Sequence, residues 1–200
     1  EGIWLYGRMY ILAIRPFVKV RFRGQKASGG DSPAIVVVNH QSWLDLYLLG
    51  AQPFRNACLL VRGWPFKRLF FFQPLMRLAG YIETESQGNA KVILDRCREE
   101  LKNGAAIVCF PEGTRSPDGS LGRFRSGVFQ LAMELAVPVV PLIIHHSGQV
   151  MPKGSLGFRE GRIEMEMAGP VKPELFQSAA IPHGRLRRHV RRIFLDALGK

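Results

Sequence analysis

Two short polar motifs in this chain combine residue types that do acid–base chemistry and bind anions. The first, Asn-His-Gln-Ser-Trp-Leu-Asp at 39–45, contains His40 and Asp45, and the second, Phe-Pro-Glu-Gly-Thr-Arg-Ser at 110–116, contains Arg115. Histidine is the side chain that exchanges a proton most readily near neutral pH. A guanidinium suits a phosphate or a carboxylate. The motifs together predict a general base beside an anion-binding group.

The spacing of His40 and Asp45 predicts that the two side chains meet across a turn. On a continuous helix, residues five apart would lie about 140° apart and out of contact. With Asp45 in the first turn of a following helix, its carboxylate can reach Nδ1 of the imidazole and leave Nε2 as the base. The nucleophile is then either Ser42, forming an acyl-enzyme, or the hydroxyl of a second substrate. The chain has no G-x-S-x-G elbow, which favours direct attack by the substrate, and Ser42 is predicted to cap the helix.

The second motif predicts a tight turn that presents a cation. Gly113 and the proline before it shape the turn, and Arg115 supplies a planar, forked donor for a phosphate or carboxylate. Glu112 either tethers that arginine or holds an acceptor hydroxyl. Arg123 and Arg125 raise the local positive potential and favour an anionic headgroup. The alternative is an ordinary surface turn with a local salt bridge.

The elements that position these motifs are predicted from hydrophobic patterns. The buried-type strands at 34–38 and 105–110 each end at one of the motifs, and open α/β sheets place ligands outside the carboxyl ends of their strands. Further strands are predicted at 58–61, 139–144 and 161–167, the last near an edge. Helices are predicted at 3 to about 19, 44–50, 65–79 (broken), 89–102, 127–136 and at the C-terminus. The alternation predicts one α/β domain with a mainly parallel central sheet flanked by helices.

The two terminal segments carry most of the remaining signals. Residues 3 to about 19 mix apolar side chains with three cations and form either a helix at a bilayer interface or a helix docked on the domain. No uncharged apolar run reaches the length of a transmembrane helix, and the first residue is Glu rather than Met, which leaves an upstream anchor open. The C-terminal helix is predicted to pack through an apolar stripe and to expose its arginines to solvent.

The charge balance predicts an anionic partner. The 28 Lys and Arg residues outnumber the 16 Asp and Glu residues, leaving a net charge of +12, which suits nucleic acid, anionic lipid or a phosphorylated substrate. A non-catalytic binder of nucleic acid or membrane would have the same charge but no need of a His–Asp pair. The three cysteines show neither a disulfide framework nor zinc-ligand spacing, so a reducing compartment is expected.

At this point both motifs resemble those of the 1-acyl-sn-glycerol-3-phosphate acyltransferases. The stretch at 39–45 is similar to that family's H-x4-D motif, and 110–116 is similar to its third motif, in the same order along the chain. The similarity runs from about 34 to 146. It includes Phe-Arg-Ser-Gly at 124–127 and Val-Pro-Val-Val-Pro at 137–141, which resembles the fourth motif.

The resemblance implies a glycerolipid acyltransferase-like fold and a ternary reaction. An acyl-CoA or acyl-carrier-protein thioester is the donor, and a lysophospholipid, most simply 1-acyl-sn-glycerol 3-phosphate, is the acceptor that becomes phosphatidic acid. His40 is the implied general base, held by Asp45. The implied acceptor-binding residues are Glu112, Gly113, Thr114 and Arg115. No cofactor, no metal and no nucleic acid is implied.

The resemblance also implies attachment to an anionic membrane surface, on the cytoplasmic face of the inner or plasma membrane. We expect residues 1–24 to form a membrane-interface helix and the first strand, and residues 25–200 to form the acyltransferase domain. The chain departs from the family at its second motif, where Ser86 in Gly-Tyr-Ile-Glu-Thr-Glu-Ser (80–86) stands in place of an arginine. A zwitterionic acceptor such as lyso-ornithine lipid is therefore an alternative, and a thioester hydrolase is the mechanistic neighbour.

Overall fold

The fold is given by a computed structural model, which describes residues 2–24, 33–52, 54, 56–61, 81–83, 90–155 and 157–199. The strands are β1 Val18–Gly24, β2 Ile35–Val38, β3 Ala57–Val61, β4 Tyr81–Glu83, β5 Ala106–Cys109, β6 Val139–His145 and β7 Gly161–Met167. The helices are α1 Gly2–Ile14, α2 Leu44–Gly50, α3 Ala90–Lys102, α4 Gly127–Leu135, α5 Ser147–Val150 and α6 Pro182–Ala197, with a 3-10 turn at Pro173–Phe176. The predicted helical stretch at 65–79 and Ser86 lie outside the described residues.

The strands form one mainly parallel sheet, which confirms the predicted α/β class. Their order is β1-β7-β6-β2-β5-β3-β4, and the β6–β7 pair is the antiparallel one among the described pairs. Strand β2 lies at the centre, and all four of its β-branched residues are fully buried. A parallel strand covered on both faces requires such a continuous apolar run.

The core lies on both faces of the sheet. On one face Ile35 and Val37 of β2 pack with the buried stripes of α3, α4 and α6. On the other face Val36 and Val38 pack with residues of α1 and α2. The alternation follows from the two-residue repeat of a strand, which sends successive side chains to opposite faces. The result is a three-layer arrangement in which helices cover both sides of the sheet.

The N-terminal helix is shorter than predicted and docks on the domain. It ends at Ile14 rather than near residue 19, because Pro16 disfavours helical backbone at the residue before it, and β1 begins at Val18. A Cβ on Gly7 would lie 2.7 Å from the Cα of Gly50 in α2, so the two helices meet through their backbones. No helix within the described ranges is long and apolar enough to span a bilayer.

Candidate active site

The two polar motifs lie side by side because β2 and β5 are parallel neighbours. Val37 pairs with Cys109, so the chain leaves both strands at the same edge of the sheet. Each of the two loops donates a hydrogen bond to the other. The backbone N–H of His40 donates to Oε1 of Glu112 at 2.9 Å, and the N–H of Ser116 donates to the carbonyl of His40 at 2.8 Å.

His40 and Asp45 meet as the spacing predicted. Nδ1 of His40 lies 2.8 Å from Oδ2 of Asp45, which is in the first turn of α2. The same oxygen accepts the backbone N–H groups of Gln41 at 2.8 Å and Ser42 at 2.9 Å. The Asp45 side chain is fully buried, while 13% of the His40 side chain stays exposed. Backbone N–H groups of the turn therefore fix the carboxylate independently of the imidazole. Its contact with Nδ1 selects the tautomer that carries the proton on Nδ1.

The imidazole ring is also held by stacking. It lies 4.0 Å from the ring of Phe110, at an interplanar angle of 19°. Its Nε2 makes no hydrogen bond within the described part of the chain. One ring nitrogen is thus occupied and the other is available as an acceptor of a proton. This arrangement would suit a general base oriented by a carboxylate.

Asn39 ties the end of β2 to the neighbouring strand. Its side-chain amide donates to the carbonyl of Ile144 in β6 at 2.8 Å and accepts the N–H of the same residue at 2.8 Å. Asn39 is almost fully buried, so these two bonds satisfy polar groups that water cannot reach. The turn that carries His40 therefore starts from a fixed point.

The Ser42 hydroxyl is engaged in the local structure. It donates to the carbonyl of Met151 at 2.8 Å and accepts the N–H of Leu44, the first residue of α2, at 3.1 Å. Ser42 is fully buried. Its position agrees with the predicted role at the start of the helix, and the occupied, inaccessible hydroxyl does not favour an acyl-enzyme.

Glu112 joins two backbone segments, one through each oxygen of its carboxylate. Besides binding His40 through Oε1, it accepts the N–H of Gly122 through Oε2 at 2.7 Å. Both Glu112 oxygens bind backbone N–H groups, and no ion pair joins Glu112 to Arg115 among the described contacts, so the predicted alternative in which the carboxylate tethers that arginine is wrong. Burial raises the pKa of the Glu112 carboxyl above its ordinary value, while the two backbone N–H groups oppose that shift. The two main-chain donors leave the neighbouring guanidinium available for other partners.

Arg115 lies over the indole of Trp43, with its Cζ 4.3 Å from the ring centroid. This is a cation–π contact. Its Nη1 is buried and has no hydrogen-bond partner among the described residues. Burial lowers the pKa of Arg115, and the Asp45 carboxylate opposes the shift, but an arginine remains charged at physiological pH. A cation held in place over the indole is suited to bind an anionic group of a ligand.

Gly113 is required by the turn geometry. Its φ is +73°, in the region that favours glycine, and a Cβ there would lie 2.8 Å from Nε of Arg125. Thr114, the next predicted acceptor-binding residue, is exposed at the rim. The motif therefore forms a tight turn with the guanidinium of Arg125 packed against it.

A cleft of about 610 Å³ opens beside these loops. Glu112 lines it, together with Arg115, Arg123, Arg125 and Arg187. Arg187 belongs to α6 and was predicted to be solvated with the other arginines of that helix, which is incorrect. Its Nη1 donates to Ser126 Oγ at 2.6 Å, which holds the guanidinium at the cleft. The periodicity of α6 indicates which face is polar but not that part of this face meets the second motif.

Within the described part of the chain, neither a metal site nor a reactive thiol lies near His40 and Asp45. The described ranges contain no group of three or more His, Cys, Asp or Glu side chains that could hold a metal ion. Burial raises the pKa of Cys58 and of Cys97 to about 12, and it also raises that of Cys109. Buried thiols of this kind stay protonated at neutral pH and are poor nucleophiles.

A family model matches the part of the sequence that contains both polar motifs. The model, described as Acyltransferase, matches residues 19–145, which include both polar motifs. The chain belongs to the acyltransferase family. It is 35% identical over 172 residues to the chloroplastic 1-acyl-sn-glycerol-3-phosphate acyltransferase LPAT1 of Arabidopsis thaliana, covering 80% of this chain and 46% of that protein.

Two further comparisons extend this acyltransferase relationship. A 1-acyl-sn-glycerol-3-phosphate acyltransferase of Pseudomonas aeruginosa is 30% identical over 149 residues, covering 70% of this chain and 54% of the relative. The crystal structure of the 1-acyl-sn-glycerophosphate acyltransferase PlsC from Thermotoga maritima is similar with a TM-score of 0.81 and 26% identity, covering 98% of this chain and 76% of that one. The chain spans about half the length of the curated relatives it matches.

Proposed function

We propose that this chain transfers a fatty acyl group from a thioester donor to the free hydroxyl of 1-acyl-sn-glycerol 3-phosphate, giving phosphatidic acid and a free thiol. The observation that carries the proposal is the 2.8 Å contact between His40 and Asp45 next to an arginine-lined cleft. Membership of the acyltransferase family and the names of its relatives support the reaction class. The donor is acyl-CoA or acyl-carrier protein, and the reaction is proposed to need no metal or cofactor.

In the proposed mechanism, Nε2 of His40 takes the proton of the acceptor hydroxyl as that oxygen attacks the thioester carbonyl carbon. A C–O bond forms and the carbonyl π electrons move to oxygen. Collapse of this tetrahedral intermediate re-forms the carbonyl and breaks the C–S bond. The leaving thiolate then takes the proton from the imidazolium, which restores the neutral base. Asp45 stabilises the imidazolium while it exists.

Direct attack by the acceptor is preferred over an acyl-enzyme. The Ser42 hydroxyl is buried and already donates to a carbonyl oxygen. The described cysteines are buried thiols with raised pKa values. The acceptor hydroxyl is then the nucleophile, and both substrates must be bound together before reaction.

The phosphate of the acceptor is proposed to bind in the cleft. Arg115, Arg125 and Arg187 line the cleft and bring positive charge to it from three segments of the chain. Guanidinium groups bind phosphate oxygens in pairs of parallel hydrogen bonds. This density of cations favours a phosphate monoester over the zwitterionic lyso-ornithine lipid that the sequence left open. Gly113 shapes the turn and Thr114 lies at the rim of the proposed acceptor site.

The test measures thiol release from palmitoyl-CoA and from palmitoyl-acyl-carrier protein, with lysophosphatidic acid, with lyso-ornithine lipid or with no acceptor. Wild type is compared with His40→Ala, and the lipid product is identified by mass spectrometry. We expect release that depends on lysophosphatidic acid and is lost in the variant. Acceptor-independent release would indicate a hydrolase, and no release from folded wild-type protein would favour a non-catalytic binder.

We further propose that the chain works at an anionic membrane surface, on the cytoplasmic face, with residues 1–24 as the membrane-facing part and 25–200 as the acyltransferase domain. Met9, Leu12 and Phe17 are 61%, 65% and 51% exposed, and the exposed Arg8 and Arg15 are close to them in sequence. Apolar side chains with interspersed cations suit an anionic interface. Sedimentation with phosphatidylglycerol vesicles should exceed that with phosphatidylcholine vesicles and should fall for Leu12→Asp. Equal sedimentation in all cases would contradict this proposal.

A further inference from the structure

The C-terminal helix is bound to the loop that follows the second motif through Arg191. Its Nη2 donates to the carbonyl of Leu121 at 2.9 Å and its Nε donates to the carbonyl of Gly122 at 3.1 Å. A guanidinium donates from a rigid planar fork, so it fixes two successive carbonyls in one orientation. Arg191 lies outside residues 19–145, the part that the family model matches.

Helix α6, which carries Arg191, is packed into the hydrophobic core. Leu186, Val190 and Phe194 are fully buried and form part of the core on one face of the sheet. Close-packed side chains of this kind transmit displacements rather than absorbing them. The position of the Leu121–Gly122 backbone is therefore set by the core as well as by the loop itself.

A hydrogen bond links the backbone of Gly122 to the side chain of Glu112. The Gly122 N–H donates to Oε2 of Glu112 at 2.7 Å, and a Cβ on residue 122 would lie 2.8 Å from the same oxygen. The other oxygen of Glu112 accepts the backbone N–H of His40 at 2.9 Å. Glu112 is only 8% exposed, so water cannot readily replace either donor. A shift of Gly122 must then move the carboxylate, and the carboxylate must move His40 or lose its hydrogen bond.

We propose that Arg191 is a positioning residue for His40, acting through Gly122 and Glu112. The chain of hydrogen bonds ends at the backbone of the base, whereas Asp45 holds the same residue by its ring. The kinetic consequence rests on the proposed function, since it requires His40 to act in acyl transfer. A catalytic group must be held within about 0.5 Å of its productive position, and a displacement of about 1 Å lowers the rate by about a hundredfold.

A direct role in binding the acceptor would have a different signature. Arg187 lines the arginine-rich cleft, whereas Arg191 is not among its lining residues and uses its Nε and Nη2 on backbone carbonyls. Loss of a phosphate ligand raises KM, whereas loss of a residue that positions the base lowers kcat. The split between the two constants therefore separates the two roles.

The kinetic test compares Arg191→Gln and Arg191→Lys with Arg192→Gln. Arg192 is the neighbouring residue on the same helix, its side chain is 78% exposed, and it lies 3.7 Å from the exposed Asp196. We expect Arg191→Gln to lower kcat by about tenfold or more with KM for the acceptor unchanged within about threefold. Lysine keeps a donor for one carbonyl and should recover part of the loss. Arg192→Gln should match wild type.

A second readout does not require acyl transfer. Diethyl pyrocarbonate modifies neutral imidazole nitrogen, and mass spectrometry locates the product on His40, with the exposed His146 as an internal reference. We expect faster modification of His40 in Arg191→Gln and, to a smaller extent, in Arg191→Lys, relative to Arg192→Gln. The lysine variant supplies the same test if the glutamine variant does not fold.

Two results would overturn the proposal: a change in KM alone, or modification of His40 at the same rate in the Arg191 and Arg192 variants. If wild-type protein transfers no acyl group, the proposed function fails, and the modification rates still decide whether Arg191 positions His40.

Discussion

Replacement of Asp45 by Asn tests how the carboxylate contributes to the base. One oxygen, Oδ2, accepts from Gln41 N–H at 2.8 Å and from Ser42 N–H at 2.9 Å, and lies 2.8 Å from Nδ1 of His40. The asparagine oxygen can take this position and keep all three contacts. Its amide nitrogen then replaces Oδ1, which is buried without a hydrogen-bond partner in the described part of the chain. The variant should therefore fold with His40 in its native orientation and tautomer.

The kinetic effect follows from the lost charge. A carboxylate and an imidazolium about 4 Å apart attract each other by about 4 kcal/mol at an effective dielectric constant of about 20. This is an upper value for the lost stabilisation, and it corresponds to about a thousandfold in rate. Loss of charge assistance in the hydrogen bond alone, about 1 to 2 kcal/mol, gives about tenfold. We expect kcat to fall between these limits with KM little changed, and stability to fall by about 1 to 3 kcal/mol through the buried amide.

The assay is acceptor-dependent thiol release at saturating donor and acceptor, combined with urea unfolding of each variant. The matched control is Asp95→Asn, which removes an exposed carboxylate that pairs with Arg98 on α3. An exposed pair contributes little, so the control should keep wild-type kcat. Wild-type kcat in Asp45→Asn would refute the role of an imidazolium. A folded Asp45→Asn as inactive as His40→Ala would refute the argument that the tautomer is preserved.

Four further predictions follow from individual contacts. Arg187→Gln should raise KM for lysophosphatidic acid by about tenfold, the value of one charged hydrogen bond, while the exposed Arg188→Gln should not, as measured by steady-state kinetics. Ser42→Ala should lose about 1 to 3 kcal/mol of stability in urea unfolding because two hydrogen bonds break, yet keep kcat within about threefold; a loss of activity equal to that of the base variant would indicate an acyl-enzyme. Gly7→Ala should destabilise the chain by about 1 to 3 kcal/mol in the same assay, because its Cβ would meet the α2 backbone at 2.7 Å. Burial raises the pKa of Glu112, so its carboxyl group binds a proton more tightly in the folded chain than in the unfolded chain. The contribution of Glu112 to the free energy of unfolding therefore falls as pH rises from the ordinary pKa of the carboxyl group toward its raised pKa. The destabilisation by Glu112→Gln should therefore be largest at low pH and shrink with rising pH in urea unfolding; a constant difference would contradict the raised pKa.

Local patterns predicted most of the described elements because each has a period or a clear end. Helix α2 occupies 44–50 as predicted, and the alternating stretch at 161–167 is β7, second from the edge of the sheet. Strand β4 at 81–83 was not predicted, because three residues are too few to show a two-residue period. The predicted first helix runs beyond Ile14 because apolar residues continue past Pro16. The helix ends earlier because Pro16 disfavours helical backbone at the residue before it.

The candidate site divides in the same way between local and distant contacts. The meeting of His40 and Asp45 could be predicted because both lie in one turn. The bonds of Asn39 to Ile144, 105 residues away, and of Arg191 to the loop at 121–122 depend on how the sheet and α6 pack. Sequence patterns show that such polar groups exist but not which distant partners satisfy them.

His40 is held by two buried carboxylates that bind different groups of the residue. Asp45 comes from the same turn and acts on the ring, whereas Glu112 comes from the neighbouring strand end and acts on the backbone. Two like charges in one site repel, and the Asp45 carboxylate contributes to the raised pKa of Glu112. The backbone N–H donors offset this repulsion, since five contacts to these two side chains come from main-chain nitrogens and the imidazole. The arginines can therefore stay in the cleft to bind a ligand rather than neutralise the acids.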